Sequence, residues 1–354
     1  MSSDIRAYSL ADPTKASEVI PKVLKHLRQP AYFRTALALH RRLQFGRFLD
    51  SSYIFTNRKL GSQLGQTDTP WFYAFVDRGC RPETEVWLFG SWEVETLSAS
   101  DTALEDDTKR ATLPDQAQAI HTLLLAFINH IKKLGTPPSI HRPEDVLAAE
   151  SQLATSNHYP SNPQLPDPNI VLFGAIHSST VPHLQSLNLL SPPLLPPNAN
   201  HTFVFPLATL PPAKPLPPNL RWGKLSPDHF PLVRSRTEIA RQDYTLARLP
   251  NLAIFPKDQV DSDAAPVAWG FVGLDGSLTT LHTEKEYRRL GLGMMLSAKL
   301  FREEMGRFFD GEGEERLAHW NVLVGNEASA GMCRNLGGED VGRVCWVCVD
   351  LGRV

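Results

Sequence analysis

Eighteen of the chain's 29 prolines crowd between Pro137 and Pro218, and this limits the fold more than any other feature of the sequence. Each proline removes a backbone donor and fixes φ, so a stretch of this density excludes long helices and favours extended or looping chain. Only short elements fit between the prolines. Ile170 to Ile176 reads as a buried strand, Val181 to Leu190 as a short helix begun by Thr180 with Pro182 in its first turn, and Thr202 to Phe205 as a further strand. The run Pro211 to Pro218 (PPAKPLPP) reads as a hinge, which divides the chain into domains at 1–218 and 219–354.

Before the hinge, residues 14–28 and 35–49 carry helical spacing of apolar side chains. Trp71 to Val76 and Val86 to Phe89 read as strands. Asp115 to Leu134 is the best helix of this half, with Ala119, Leu123, Ala126, Phe127 and Ile131 on one face. An α/β layer arrangement follows. Residues 1–215 hold no recognisable catalytic cluster, and His26, His40, His121, His130, His141, His158, His177 and His183 are spaced as surface or capping residues rather than metal ligands.

The 36 Lys+Arg and 38 Asp+Glu give a net charge of −2, which lacks the basic excess a nucleic-acid binder needs. Apolar residues make up 42%, enough for a core in a chain of 354 residues. The longest apolar runs, such as Leu123 to Ile128, fall far short of the roughly 20 residues that cross a bilayer, and Asp4 and Arg6 interrupt the start of the chain where a signal peptide would be apolar. These features predict a soluble, cytoplasmic protein with no membrane partner. The four cysteines, Cys80, Cys333, Cys345 and Cys348, are too few for a disulfide framework, and Val344 to Val349 reads as a buried strand, so Cys345 and Cys348 are expected in the core rather than on a metal.

After the hinge the pattern predicts a helix from Pro231 to about Gln242, strands at Asn251 to Phe255, Pro266 to Gly273 and Ser277 to Thr283, and polar or acidic loops at Lys257 to Asp263 and Asp310 to Arg316. The Asp275-Gly276 pair between two apolar runs is a hairpin signal. A helix to Phe309, a strand His319 to Val324, a helix Asn326 to Leu336 and a strand Val344 to Leu351 complete the chain. Within this half, Leu281-His-Thr-Glu-Lys-Glu-Tyr-Arg-Arg-Leu-Gly-Leu-Gly293 runs strand, basic glycine loop, helix. Glycines admit close approach, the first N–H groups of the helix have no internal partner, and the helix dipole favours an anion. Arg288 and Arg289 add positive charge, so a pyrophosphate-bearing ligand fits.

Arg288-x-x-Gly291-x-Gly293 resembles the acyl-CoA pyrophosphate loop of the GCN5-related N-acetyltransferase (GNAT) superfamily. The phrase from Asp275 to Leu292 is similar to the branch containing glycine N-acyltransferase and FR47-like proteins, and Asn326 to Gly337 is similar to the superfamily's asparagine helix and Leu-Gly turn. The resemblance spans roughly residues 221–351. Ile170 to Pro192 is similar to the segment closing the first domain of glycine N-acyltransferases. It implies an α/β GNAT fold, with a mixed, mostly antiparallel, V-split sheet, preceded by a degenerate GNAT-like domain without its own cofactor loop.

Acetyl-CoA or another acyl-CoA is then the implied co-substrate. Leu281, His282 and Thr283 would pair with the pantetheine arm through their backbones, Arg288, Arg289, Leu290, Gly291, Leu292, Gly293 and Met294 would hold the pyrophosphate, and Asn326 and Ser329 would contact the pantetheine end. Asn326 equally suits a helix N-cap. Where several branches carry a catalytic glutamate this chain has Ser277, which could order a water or leave the proton to another group such as His282 or Asp275; strand alternation sets His282 on the face opposite Ser277 and Thr279. The tyrosine that protonates the leaving thiolate in many members maps to Cys333, which reads equally as a buried structural cysteine. No metal is implied.

Arg234, Arg236 and Arg241 lie where the acceptor enters in this fold and are candidates to hold its carboxylate, or simply form a solvated charged face. The implied activity is acyl transfer to the amine of a small molecule or amino acid by direct attack in a ternary complex. The alternatives are a non-enzymatic CoA-binding or interaction protein and a protein N-acetyltransferase.

Overall fold

A computed structural model describes residues 4–61, 69–94, 114–141, 143–144, 146–147, 167–191, 199–212, 214–237, 239, 241–258, 264–309 and 315–354. The turn expected at Lys257 to Asp263 and the acidic loop at Asp310 to Arg316 lie largely outside them. In chain order the elements are β1 (Arg6–Ser9), α1 (Pro13–Leu27), α2 (Leu37–Phe45), β2 (Ser52–Thr56), β3 (Phe72–Asp77), β4 (Val86–Gly90), α3 (Pro114–Leu134), β5 (Ile170–His177), α4 (Val181–Ser186) and β6 (Ala199–Pro206). There follow β7 (Leu220–Gly223), α5 (Phe230–Ser235), α6 (Asp243–Leu246), β8 (Asn251–Pro256), β9 (Ala268–Val272), β10 (Leu278–Thr283), α7 (Leu292–Glu304), β11 (Leu317–Leu323), α8 (Glu327–Asn335) and β12 (Glu339–Asp350). No described helix is long and apolar enough to cross a membrane.

The chain forms two compact units, Met1–Asn200 with Gly342–Val354, and His201–Val341. The expected hinge at 211–218 falls inside the second. The first unit is a sheet in the order β1-β2-β3-β4-β5-β12, antiparallel except for the parallel step between β4 and β5. Its strands bury both faces, so their residues alternate between two cores. Phe72, Ala74, Val76, Val86 and Leu88 face α3 with its Ile120, Leu124, Phe127 and Ile131. Tyr73, Phe75, Trp87 and Phe89 face α1 and α2. Asp12 caps α1 by accepting from the Thr14 N–H at 2.9 Å, and Pro13 occupies the first turn. The closing strand, β12, places Cys345, Val347 and Val349 in the α3 core and pairs Val344 to Asp350 with His177 to Ile170. Cys345 and Cys348 are buried and in no disulfide, as expected of core residues.

Several histidines expected on the surface are instead buried. His26 stacks on Trp71 at 4.7 Å and shares a hydrogen bond with the Tyr73 hydroxyl at 2.9 Å; burial lowers its pKa to about 4, so it sits neutral in the core. Spacing could not reveal this, because an imidazole on a core-facing stripe is spaced like any apolar residue. A second polar group is deeper still: Trp92 Nε1 donates to Thr180 Oγ1 at 2.8 Å, and that hydroxyl donates to Glu93 Oε1 at 2.9 Å. Burial raises the Glu93 carboxyl to about 8. The folded state then holds a proton that the unfolded chain releases above about 4.5, so stability from this group is full below that pH and is lost progressively as pH rises towards 8. In Glu93→Gln, that slope, at most about 1.4 kcal/mol per pH unit, is expected to vanish in urea titrations across pH 5–8; an unchanged slope would refute the assignment.

The second unit holds a four-stranded antiparallel sheet in the order β10-β9-β8-β7, with β6 beside β11. Leu296, Leu300 and Phe301 of α7 are fully buried, and Phe301 packs on Phe205 at 5.2 Å between ring centres. The expected hairpin is present, with Gly276 at φ +75 and its N–H donating to Gly273 O at 2.9 Å. The helix expected from Pro231 to Gln242 stops at Ser235, and the next helix, α6, begins only at Asp243, beyond its expected end. The apolar stripe lapses after Val233, and Arg234 and Arg236 turn aside to pair with Asp243 and Glu284.

Candidate active site

The site is built around β10, which is an edge strand. Its outer side makes one parallel bridge to β11, Ser277 to His319, and the strands belong to separate sheets beyond it. The result is a V with its apex at Ser277, along which the outward backbone groups of β10 have no ladder. On the inner side Leu278 and Thr279 oppose Val272 and Phe271, whereas His282 and Thr283 oppose Trp269 and Ala268. Thr280 and Leu281 therefore stand against Gly270 alone, as a β-bulge, and Thr280 takes φ +53, a conformation β-branched residues rarely adopt. Gly270 suits the close packing here: a Cβ would sit 2.9 Å from Leu296 Cδ2 and 3.2 Å from Leu281 Cδ1.

The bulge corrects the expected placement of His282. Opposed residues share a face, and Phe271 and Trp269 are two apart, so Thr279 and His282 lie on the same face of the sheet rather than on opposite ones. His282 stacks on Trp269 at 4.8 Å, with Nε2 3.5 Å from Glu284 Oε2, an ion-pair separation. Burial lowers its pKa despite that carboxylate, which keeps the ring neutral at pH 7.

Beyond β10 the chain enters the glycine loop. Arg288 Nε donates to Thr283 O at 3.1 Å, tying the loop to the strand end. Arg289 and Gly291 both adopt left-handed backbone, φ +63 and +74, and Gly291 is the residue before α7. Such alternation turns successive N–H groups into one concavity, and the first N–H groups of α7 have no intrahelical acceptor. A Cβ on Gly291 would point into open space, whereas one on Gly293 would meet Met332 Sδ at 3.2 Å. Leu290 is 53% exposed beside this concavity. These features fit a pyrophosphate: backbone donors, two arginines, and glycines where an anion approaches.

At the apex, Ser277 Oγ donates to Asp275 Oδ1 at 2.7 Å and the Ser277 N–H donates to the same oxygen at 3.1 Å. His319 Nε2 lies 4.0 Å from Asp275 Oδ2, and all three residues are buried. Gly273 permits this packing, since its Cβ would stand 2.7 Å from Asp275 Oδ1. Among the described residues no group of three or more His, Cys, Asp or Glu is arranged to hold a metal.

The model of one acyltransferase family, described as the acyl-CoA N-acyltransferase verG N-terminal domain, matches residues 8–239. The chain belongs to this acyl-CoA N-acyltransferase family. Its fold is of the expected α/β class, with mostly antiparallel sheets flanked by helices. A solved Drosophila protein shares 14% identity over 98% of both chains, with a TM-score of 0.57. A tandem GNAT protein from the clavulanic acid biosynthesis pathway is 11% identical over 99% of both chains (TM-score 0.48), and a GCN5-related N-acetyltransferase from Sphaerobacter thermophilus is 11% identical over 99% of this chain and 97% of its own (TM-score 0.47). No curated protein matches the chain.

The structure also places the remaining expected residues. Asn326 is the N-cap of α8, its Oδ1 accepting from the Ser329 N–H at 3.1 Å; Asn326 is exposed and Ser329 half-buried. Cys333 is fully buried, and burial pushes its thiol up to about 12, which makes it a poor proton donor to a departing thiolate. Of the three arginines, Arg234 pairs with Asp243 and Arg236 with Glu284 Oε1 at 2.9 Å, whereas Arg241 Nη2 donates to Thr279 Oγ1 at 2.9 Å. His319 was missed by sequence reasoning. Its place depends on the parallel bridge between strands distant in sequence, and no local signal marks it.

Proposed function

We propose that the protein transfers an acyl group from acetyl-CoA or another acyl-CoA to the amine of a small molecule, by direct attack in a ternary complex. The observation that carries this reading is the pairing of a bulged, unladdered edge strand with a glycine loop of free N–H groups at the start of α7. In this reading the backbone groups of Leu281, His282 and Thr283 hold the pantetheine arm as an added strand. The N–H groups from Arg289 to Met294 take the pyrophosphate, flanked by Arg288 and Arg289. The thioester then lies at the mouth of the V beside the bulge, where backbone N–H groups polarise its carbonyl.

The amine nitrogen attacks the thioester carbon, the C–S bond breaks, and the thiolate leaves as CoA. An amine of pKa near 10 is about one part in a thousand neutral at pH 7, so its proton must be taken up. Serine alone is no base, but Ser277 hydrogen-bonded to the buried Asp275 carboxylate can pass a proton inward, with His319 beside it. His282 is the other group on this side. Asp275→Asn is expected to lower kcat about 100-fold, and Ser277→Ala about 10-fold, with the acetyl-CoA Kd unchanged. The deficit should shrink as pH approaches 10, where the amine is neutral without help; a deficit constant with pH would remove the relay.

The test of the activity is thiol release from acetyl-CoA across a panel of small amines, with product masses measured. Amine-dependent release supports the reading. Acetyl-CoA binding with no release would favour the non-enzymatic CoA-binding alternative, and release on peptides alone would favour a protein N-acetyltransferase. The four buried cysteines, none in a disulfide, support a reducing compartment such as the cytoplasm.

A further inference from the structure

The bulge residue Thr280 carries two costs at once. Its backbone holds φ +53, a left-handed conformation that a β-branched side chain adopts only under strain. Its hydroxyl oxygen is buried with no hydrogen-bond partner among the described residues, and leaving a buried hydroxyl unsatisfied is unfavourable. The hydroxyls just before it on the strand are satisfied: Ser277 Oγ donates to Asp275 Oδ1, and Thr279 Oγ1 accepts from Arg241 Nη2. Glycine in place of Thr280 would relieve the strain and valine would remove the orphan hydroxyl, so the fold itself gains from neither feature.

The place of Thr280 along β10 gives the hydroxyl a use. β10 is an edge strand, and Thr280 and Leu281 stand against Gly270 alone. In the acyl-transfer reading above, on which this inference rests, the pantetheine arm runs back from the glycine loop along Thr283, His282 and Leu281. The next residue toward the apex at Ser277 is Thr280. The thioester end of the arm therefore arrives beside it, where a donor without a partner meets a carbonyl acceptor.

We propose that the Thr280 hydroxyl donates a hydrogen bond to the thioester carbonyl oxygen and stabilises the negative charge which that oxygen acquires when the amine attacks. The amine nitrogen bonds to the thioester carbon and the C=O π pair moves onto oxygen. The pair returns as the C–S bond breaks and the thiolate departs, and the hydroxyl proton stays on Oγ1 throughout. The hydrogen bond is strongest at the tetrahedral stage, so it speeds the reaction more than it tightens binding. Thr280 is then a catalytic residue beside the backbone N–H groups, and its two costs are offset only when the acyl group is bound.

The test uses the full chain with Thr280→Val, which keeps the branched shape and removes only the hydroxyl, and Thr280→Ser, which keeps the hydroxyl. Thr280→Val is expected to fold with an unchanged or raised melting temperature and to bind acetyl-CoA within about threefold of the unaltered protein, yet to lose about 100-fold in kcat on a panel of small amines. Thr280→Ser should retain most of the activity. The infrared carbonyl stretch of bound, carbonyl-labelled acetyl-CoA reads the contact without turnover, and it should lie at lower frequency in the unaltered protein than in Thr280→Val. An unshifted stretch or an unchanged kcat overturns the proposal and leaves acyl transfer standing. A clear fall in the melting temperature of Thr280→Val also overturns it, because the hydroxyl would then serve the fold. If acetyl-CoA binds and no amine reacts, the stretch alone decides. If acetyl-CoA does not bind the unaltered protein, the acyl-transfer reading itself fails and the proposal falls with it.

Discussion

Replacing Gly291 by valine is expected to weaken acetyl-CoA binding at least about 100-fold while leaving the fold intact. Gly291 holds φ +74, and a Cβ there meets no protein atom within 4 Å, so packing does not oppose the substitution. The backbone does. A β-branched residue in left-handed conformation costs about 1–2 kcal/mol or more, and relaxing it turns away the N–H groups that face the pyrophosphate, each charge-assisted bond contributing about 1.5–3 kcal/mol. Gly291→Ala should lose less, and the comparison separates backbone strain from side-chain obstruction. Calorimetric titration with acetyl-CoA measures both, with thermal melting as the control for folding. A valine variant that binds normally would mean that this backbone geometry does not hold the ligand.

The largest stability effect is expected from Phe127→Ala. Phe127 is fully buried on α3 and packs on Phe72, Phe55 and Phe173 at 5.0, 5.7 and 6.3 Å between ring centres. The helix thus touches three strands through one side chain. Truncation leaves a cavity the rigid sheet cannot close, costing about 3–5 kcal/mol, or a fall in melting temperature of roughly 10 °C. Denaturant titration checks the figure. A loss below about 1 kcal/mol would show that the α3 core repacks around the hole.

The parts of the structure legible in the sequence were those encoded locally. The Asp275-Gly276 hairpin, α3, and the order strand, basic glycine loop, helix each rest on neighbouring residues with strong conformational preferences. The loop's arginines and glycines pointed to a pyrophosphate-bearing ligand on the same local grounds. What escaped depends on pairing between distant segments. The bulge at Thr280 and Leu281 comes from register against β9, and nothing in Leu278 to Thr283 marks it, yet it reverses the side of His282. The return of β12 to β5 places the final residues, Gly342–Val354, with the first unit, whereas a linear reading expected one break at 218. The Ser277 to His319 bridge, which brings a buried histidine to Asp275, is a third such case. The arginines were legible as charges, but the pairing of Arg234 and Arg236 was not, because Asp243 and Glu284 reach them only after the expected helix breaks at Ser235.

The central claim is that the loop from Arg288 to Gly293 and the edge of β10 form an acyl-CoA site. Isothermal titration of the unaltered protein with acetyl-CoA tests it most directly. The account predicts one site per chain with micromolar affinity, weakening as salt rises because the contacts are to phosphate. No binding at millimolar acetyl-CoA would contradict it, and the transferase reading would fall with the site.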